Sequence, residues 1–212
     1  MAANLVANPS FEAFTGIFAG DGGSQLVSSS TTLTSWSITN NEIAVLKNPN
    51  LYNLTPSDGN NFLDLTGYTS AGFPKGVSQT LNSLIVGQTY QFAMDLGIRN
   101  GACVSGGNNC TGPIQVNASI GSASQTFTHN SLSPGNIWGT DGFDFTATNT
   151  NMLLTILGSS IPPDNFYIGL DNVSVNAIQN PSAVPVPAAV WLFSTGLLTL
   201  IGALKKRQLS FA

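Results

Sequence analysis

At 212 residues the chain has room for one medium β domain with appendages, and not comfortably for two. Its 42% hydrophobic content, with 12 Phe, suffices for a core and excludes disorder by composition, although charged residues make up only 8%. All ten acidic residues lie between Glu12 and Asp171, where the only bases are Lys47, Lys75 and Arg99, so a nucleic-acid partner is excluded.

The polar fraction is Ser, Thr, Asn and Gly, residues that suit turns and pleated surfaces and form helices poorly. Taken in order, Gly20-Asp21-Gly22-Gly23-Ser24 and Ser28-Ser29-Ser30 read as loops, not domain boundaries. Trp36 lies near a strand start and is assigned to the core. Tyr52, Tyr68 and Phe73 fall in predicted loops with polar neighbours. Exposed rings of this kind can stack on the apolar face of a pyranose, so the three form a candidate polysaccharide-binding patch. Asp58-Gly59-Asn60 and Val86-Gly87-Gln88 are turns. Tyr90, Phe92, Met94 and Leu96 alternate with polar or small residues, a period of two that marks a strand with one buried face.

Cys103 and Cys110 are spaced C-x6-C across a glycine-rich loop. Zinc would need further Cys or His ligands, and the single His129 does not complete a set of four. The pair reads either as a local disulfide, which belongs to an oxidising compartment, or as two free thiols. Ile114, Val116, Ala118 and Ile120 repeat the alternation, as do Phe143, Phe145 and Ala147, with a turn at Pro134-Gly135-Asn136 between them. Trp138, near a strand start, is also assigned to the core. Roughly ten short strands without internal repeat predict an all-β fold, an antiparallel β-sandwich over residues 1–179.

Residues 180–187 carry prolines that lack donors and fix φ, and they predict an extended stalk. Ala188–Leu204 is 17 residues without a charge, long enough for one C-terminal transmembrane helix. Trp191 suits one interface, and Lys205, Lys206 and Arg207 form a positive stop at the other, placing residues 205–212 in the cytoplasm and the sandwich outside. An outside body requires a secretory leader, and Met1-Ala2-Ala3-Asn4 is not one; either the leader lies upstream of this start, which is the favoured expectation, or the protein inserts by its tail.

Catalysis is not expected. One His supports no nucleophilic triad, no glycine-rich phosphate loop exists, and Asp58 with Asp64 could supply the carboxylate pair of a glycosidase, although a pair six apart in a turn–strand segment is usually a solvated coincidence.

Val184-Pro185-Val186-Pro187-Ala188, the apolar segment and the basic end together resemble the PEP-CTERM sorting tail in its VPxPA variant. That resemblance implies export in a Gram-negative-type bacterium, an exosortase partner, cleavage near Val184–Pro187, passage through the cell membrane, and residence at the cell surface or in a biofilm matrix. The body resembles galactose-binding-like jelly rolls found among carbohydrate-binding modules. The matching segments are Asn4-Leu5-Val6-Ala7-Asn8-Pro9-Ser10-Phe11-Glu12, Asn61-Phe62-Leu63-Asp64-Leu65-Thr66-Gly67, Val77-Ser78-Gln79-Thr80-Leu81 with Gly87-Gln88-Thr89-Tyr90, and Asp171-Asn172-Val173-Ser174-Val175. It implies that the first and last segments are neighbours. It also implies that Glu12 and Asp171, with carbonyls near Asn8 or Asp21, hold a structural calcium, a cation that accepts irregular oxygen shells. The alternative is that both carboxylates accept hydrogen bonds from turn amides. The functional expectation is an exported, non-catalytic surface or matrix protein that binds extracellular polysaccharide; the alternatives are an adhesion protein without glycan affinity and, third, a glycoside hydrolase.

Overall fold

Residues that alternate along a strand must face alternately inward and outward, and two such sheets bury their apolar faces against each other. The computed structural model describes residues 3–18, 24–27, 33–40, 42–50, 55–67, 74–98, 114–129, 137–159 and 168–179. Among them are eleven strands: β1 (Ser24–Val27), β2 (Ser37–Thr39), β3 (Ile43–Lys47), β4 (Asn61–Asp64), β5 (Lys75–Leu81), β6 (Thr89–Ile98), β7 (Ile114–Ile120), β8 (Ala123–His129), β9 (Ile137–Thr146), β10 (Met152–Ser159) and β11 (Ile168–Ala177). One sheet has the order β1-β3-β4-β11-β6-β9 and the other β2-β5-β10-β7-β8. Every pairing is antiparallel. The fold is an all-β sandwich.

Phe92, Met94 and Leu96 of β6, with Val173 and Val175 of β11, form one wall of the core. Val77, Leu81, Val116, Ile120, Leu154 and Ile156 form the other, and all are almost fully buried. Each such side chain contributes about 1.5–3 kcal/mol when withdrawn from water. Trp36 is in this core as expected, at 1% exposure, with Phe11 against it at 5.4 Å between ring centroids.

Two expectations need correction. Ser24 opens a strand instead of closing a loop, because Ser24 to Val27 pair with Leu46 to Ile43. Trp138 lies outside the main core. Its place in β9 puts it opposite Gly97, on the outward side of the six-stranded sheet. There it packs on Ala44, Leu46 and Phe62, and donates its indole N–H to the Thr55 carbonyl at 2.7 Å. Gly97 is required beneath it, since a Cβ there would stand 2.8 Å from indole carbons.

The opening segment runs beside the last strand. Leu5 N–H donates to Val175 O and Val173 N–H to Pro9 O, both at 3.0 Å. The second of these bonds falls at a bulge in β11, where the register shifts between Asp171 and Ser174 and Asn172 has φ 47°. The bulge keeps Val173 inward while Asp171 faces out of the sheet.

The chain divides into two units, Met1–Ile178 and Gln179–Ala212. Among the described residues no helix is long and apolar enough to cross a membrane. The stalk, the sorting motif Val184–Ala188, the apolar segment 188–204 and Lys205, Lys206 and Arg207 lie outside the described residues, as do Cys103 and Cys110.

Candidate functional site

On the five-stranded sheet, residues of one parity fill the core and those of the other face outward. The outward set is uncharged and mostly small or hydroxyl-bearing, with Leu153 and Leu157 among it. Ser37 pairs with Ser78, Ser78 with Thr155, Thr155 with Ser119, and Ser119 with Ser124. One row of hydroxyls therefore crosses all five strands, a distance of about 19 Å at the usual strand spacing. The neighbouring row is Thr39, Gly76, Leu157, Asn117 and Thr126. Asn117 donates to Thr126 Oγ1 at 3.0 Å, which orients both side chains. On the other flank Thr80 pairs with Leu153, which is 54% exposed. The face thus offers donors and acceptors with an apolar side chain among them and no ion to repel or attract.

At the β2–β5 edge this face dips into a groove of about 400 Å³, between the opening segment at Leu5 and Ala7 and the strands carrying Ser37, Ser78 and Thr80. Gln79 builds it. The residue has core-facing parity yet is polar, and is 7% exposed. Its amide accepts from Ala7 N–H at 2.8 Å and donates to Ala7 O and Ser35 O at 2.9 Å each. A side chain here takes the place of a strand partner for Ala7.

Glu12 and Asp171 converge on one turn, residues 57–61. Glu12 Oε1 accepts from the backbone N–H groups of Asn60 and Asn61 at 2.7 Å, and Oε2 from Asn61 Nδ2 at 3.1 Å. Asp171 Oδ2 accepts from Ser57 N–H at 2.9 Å and Asp58 N–H at 3.0 Å, and Oδ1 from Asn172 N–H at 2.8 Å. All four carboxylate oxygens meet donors, with Glu12 Oε2 and Asp171 Oδ1 accepting one hydrogen bond each. The Asn8 carbonyl is likewise engaged, by the Trp36 indole N–H at 3.0 Å. Asp21 lies outside the described residues. Among the described residues no group of three or more His, Cys, Asp or Glu is placed to hold a metal ion.

Burial pushes the Asp171 carboxyl up to about 7, against the lowering effect of the Asp58, Asn172 and Ser57 donors. Asp64 rises to about 7 for the same reason, although Thr66, the Ile168 N–H and Lys75 oppose it. Asp64 and Asp58 are held by different partners. Asp64 is 2% exposed and accepts from Thr66 Oγ1 at 2.6 Å, whereas Asp58 accepts from Ser10 Oγ at 2.6 Å. The ring residues Tyr52, Tyr68 and Phe73 lie outside the described residues.

No protein-family model and no curated protein sequence matches the chain. Among solved structures, TmCBM61 in complex with beta-1,4-galactotriose has TM-score 0.54 at 13% identity, covering 84% of this chain and all of that one (100%). The sandwich is similar to that of a carbohydrate-binding module. The CBM22-1 xylan-binding domain from Paenibacillus barcinonensis Xyn10C covers 85% of this chain and 97% of that chain, with TM-score 0.44 and 13% identity. A likeness at such identity concerns the fold.

The hydroxyl rows and Gln79 were missed in the sequence as site residues. Their signal was present in Gln115, Asn117 and Ser119, which alternate with apolar neighbours, but the row exists only once five strands are in register.

Proposed function

We propose that the chain is a non-catalytic polysaccharide-binding surface protein that reads neutral sugar through the outer face of the five-stranded sheet and its edge groove. The observation that carries this reading is the charge-free hydroxyl row from Ser37 to Ser124. Neutral polysaccharide presents hydroxyls at sugar-length intervals and apolar ring faces between them. Ser and Thr can exchange hydrogen bonds with the former, and Leu153 can cover the latter. The fold shared with TmCBM61, whose structure holds beta-1,4-galactotriose, supports the same class of ligand. Tyr52, Tyr68 and Phe73 would extend the contact from the loops.

Jelly-roll connectivity belongs to the same proposal and is supported by the strand orders of the two sheets. Export, recognition by an exosortase at Val184–Ala188, a single transmembrane helix over 188–204 and final residence at the surface or in the matrix belong to it too, supported by the order of motif, apolar segment and basic stop. A Cys103–Cys110 bridge would follow from export to an oxidising compartment. Saturable binding on an array of neutral polysaccharides, including beta-1,4-galactan and xylan, is the expected result. Matrix association without saturable binding would instead select an adhesion protein lacking glycan affinity. Calcium at Glu12 and Asp171 is the part of the proposal with which the turn amides compete. If the ion binds there, added calcium raises the unfolding temperature and a chelator lowers it. Indifference to both leaves the carboxylates to the turn alone.

A further inference from the structure

One end of the sandwich is free of charge, and the described chain leaves from it. The β5–β6 turn, the β7–β8 turn, the β9–β10 connection and the end of β11 meet there. Gly87 N–H donates to Ala147 O at 2.8 Å, Gly121 N–H to Leu153 O at 3.3 Å, and Ile178 N–H to Thr89 O at 3.0 Å. Residues 81–89, 119–124, 145–153 and 176–179 include no Asp, Glu, Lys or Arg. Large apolar side chains are nonetheless exposed on it: Ile85 at 67%, Val86 at 60% and Leu153 at 54%.

The turn that carries two of these is held rigidly. Gln88 N–H closes it on Ile85 O at 3.0 Å, and Gly87 supplies the φ of 84° that its third position requires. Ile85 N–H is tied to the Tyr90 hydroxyl at 2.9 Å. The same turn grips the departing chain, because Gln88 Nε2 donates to Ile178 O at 2.7 Å. Beyond that bond, nine residues (179–187) precede the uncharged stretch Ala188–Leu204. Fully extended, nine residues reach about 30 Å.

We infer that this end is a lipid-contact surface, with Ile85 and Val86 seated in the interfacial layer of the membrane that holds residues 188–204. The inference rests on the anchored reading above. The short tether keeps this end near the bilayer. The six-stranded sheet is acidic and would be repelled by anionic headgroups, and the outer face of the five-stranded sheet, though uncharged, presents hydroxyls; the end that holds the tether is the one that exposes Ile85 and Val86. Exposed aliphatic residues on a rigid, ion-free tip then lose water without desolvating a charge.

The test uses the full chain in vesicles of phosphatidylcholine and phosphatidylglycerol, with Cys103→Ser and Cys110→Ser. An environment-sensitive NBD fluorophore is attached at Val86→Cys, and at Thr128→Cys near the far end of β8 as control. The expected result is a blue-shifted, several-fold brighter emission at position 86, quenched by headgroup spin-labelled lipid, with neither effect at 128. An Ile85→Cys label is the second reporter, so misfolding of one variant does not decide the answer. If the chain floats with vesicles but the labels at 86 and 85 report water, the lipid contact is refuted and the anchor survives. If the chain does not float with vesicles, both fall. A blue shift insensitive to spin-labelled lipid marks contact with a second copy and also overturns the proposal.

Discussion

Gln79 occupies a core-facing position of β5 between Val77 and Leu81, where an apolar residue would ordinarily stand. It is tolerated because both ends of its amide are satisfied by backbone, which removes most of the cost of burying them. Gln79→Ala leaves Ala7 and Ser35 without those partners. The expected loss is about 1–3 kcal/mol by denaturant unfolding, with weaker glycan binding through the edge groove; unchanged stability would show that the opening segment is held by other contacts. Asp64 makes a second statement at this scale. Folding raises its pKa from 3.8 to about 7, so the native protein keeps this proton where the unfolded chain has lost it. Stability from this group is complete below about pH 4 and is lost as pH rises through about 7. Asp171 acts in the same direction. Asp64→Asn is expected to flatten the fall in unfolding temperature between pH 4 and pH 8, and a slope equal to the parent's would contradict that assignment.

Strands differ in how much of them the sequence makes legible. β6 and β7 are plain in Tyr90–Leu96 and Ile114–Ile120, because one buried face imposes a period of two. Trp138 was misplaced because its local pattern does not say which sheet face is the core; only pairing with Gly97 puts it outside. The bulge at Asp171–Ser174 is equally hidden, since it depends on Asn172 adopting φ 47° and on Pro9 accepting the freed Val173 N–H. Convergence of Glu12 and Asp171 was readable from the opening and closing motifs. Their common partner, the 57–61 turn, was not. The binding face depends on close approach of β5 and β10 at Gly76, where a Cβ would collide with the Ile156 carbonyl. Gly76→Ala should therefore cost about 1–3 kcal/mol and disturb the rows on either side, as seen in thermal unfolding. A variant as stable as the parent would show that the two strands have slack.

For the whole molecule, charge and apolarity are distributed unevenly, and that distribution carries the functional account. Acidic residues cluster on the six-stranded sheet and its covering turn, where Asp64, Asp95 and Asp171 are buried. The outer face of the five-stranded sheet carries hydroxyls and amides, and among the described residues the turns at the end where the chain departs carry no charged side chain. The proposed sugar contact belongs to the uncharged face and the proposed anchor to the uncharged end. The most direct measurement is calorimetric titration of the parent and a Ser119→Arg variant with the polysaccharide that binds most strongly. The substitution lies on the outer face, so unfolding temperature should stay near the parent's while affinity falls at least about tenfold, the effect of a lost interaction of roughly 1.4 kcal/mol. Equal affinity in the two proteins would contradict the assignment of sugar binding to this sheet.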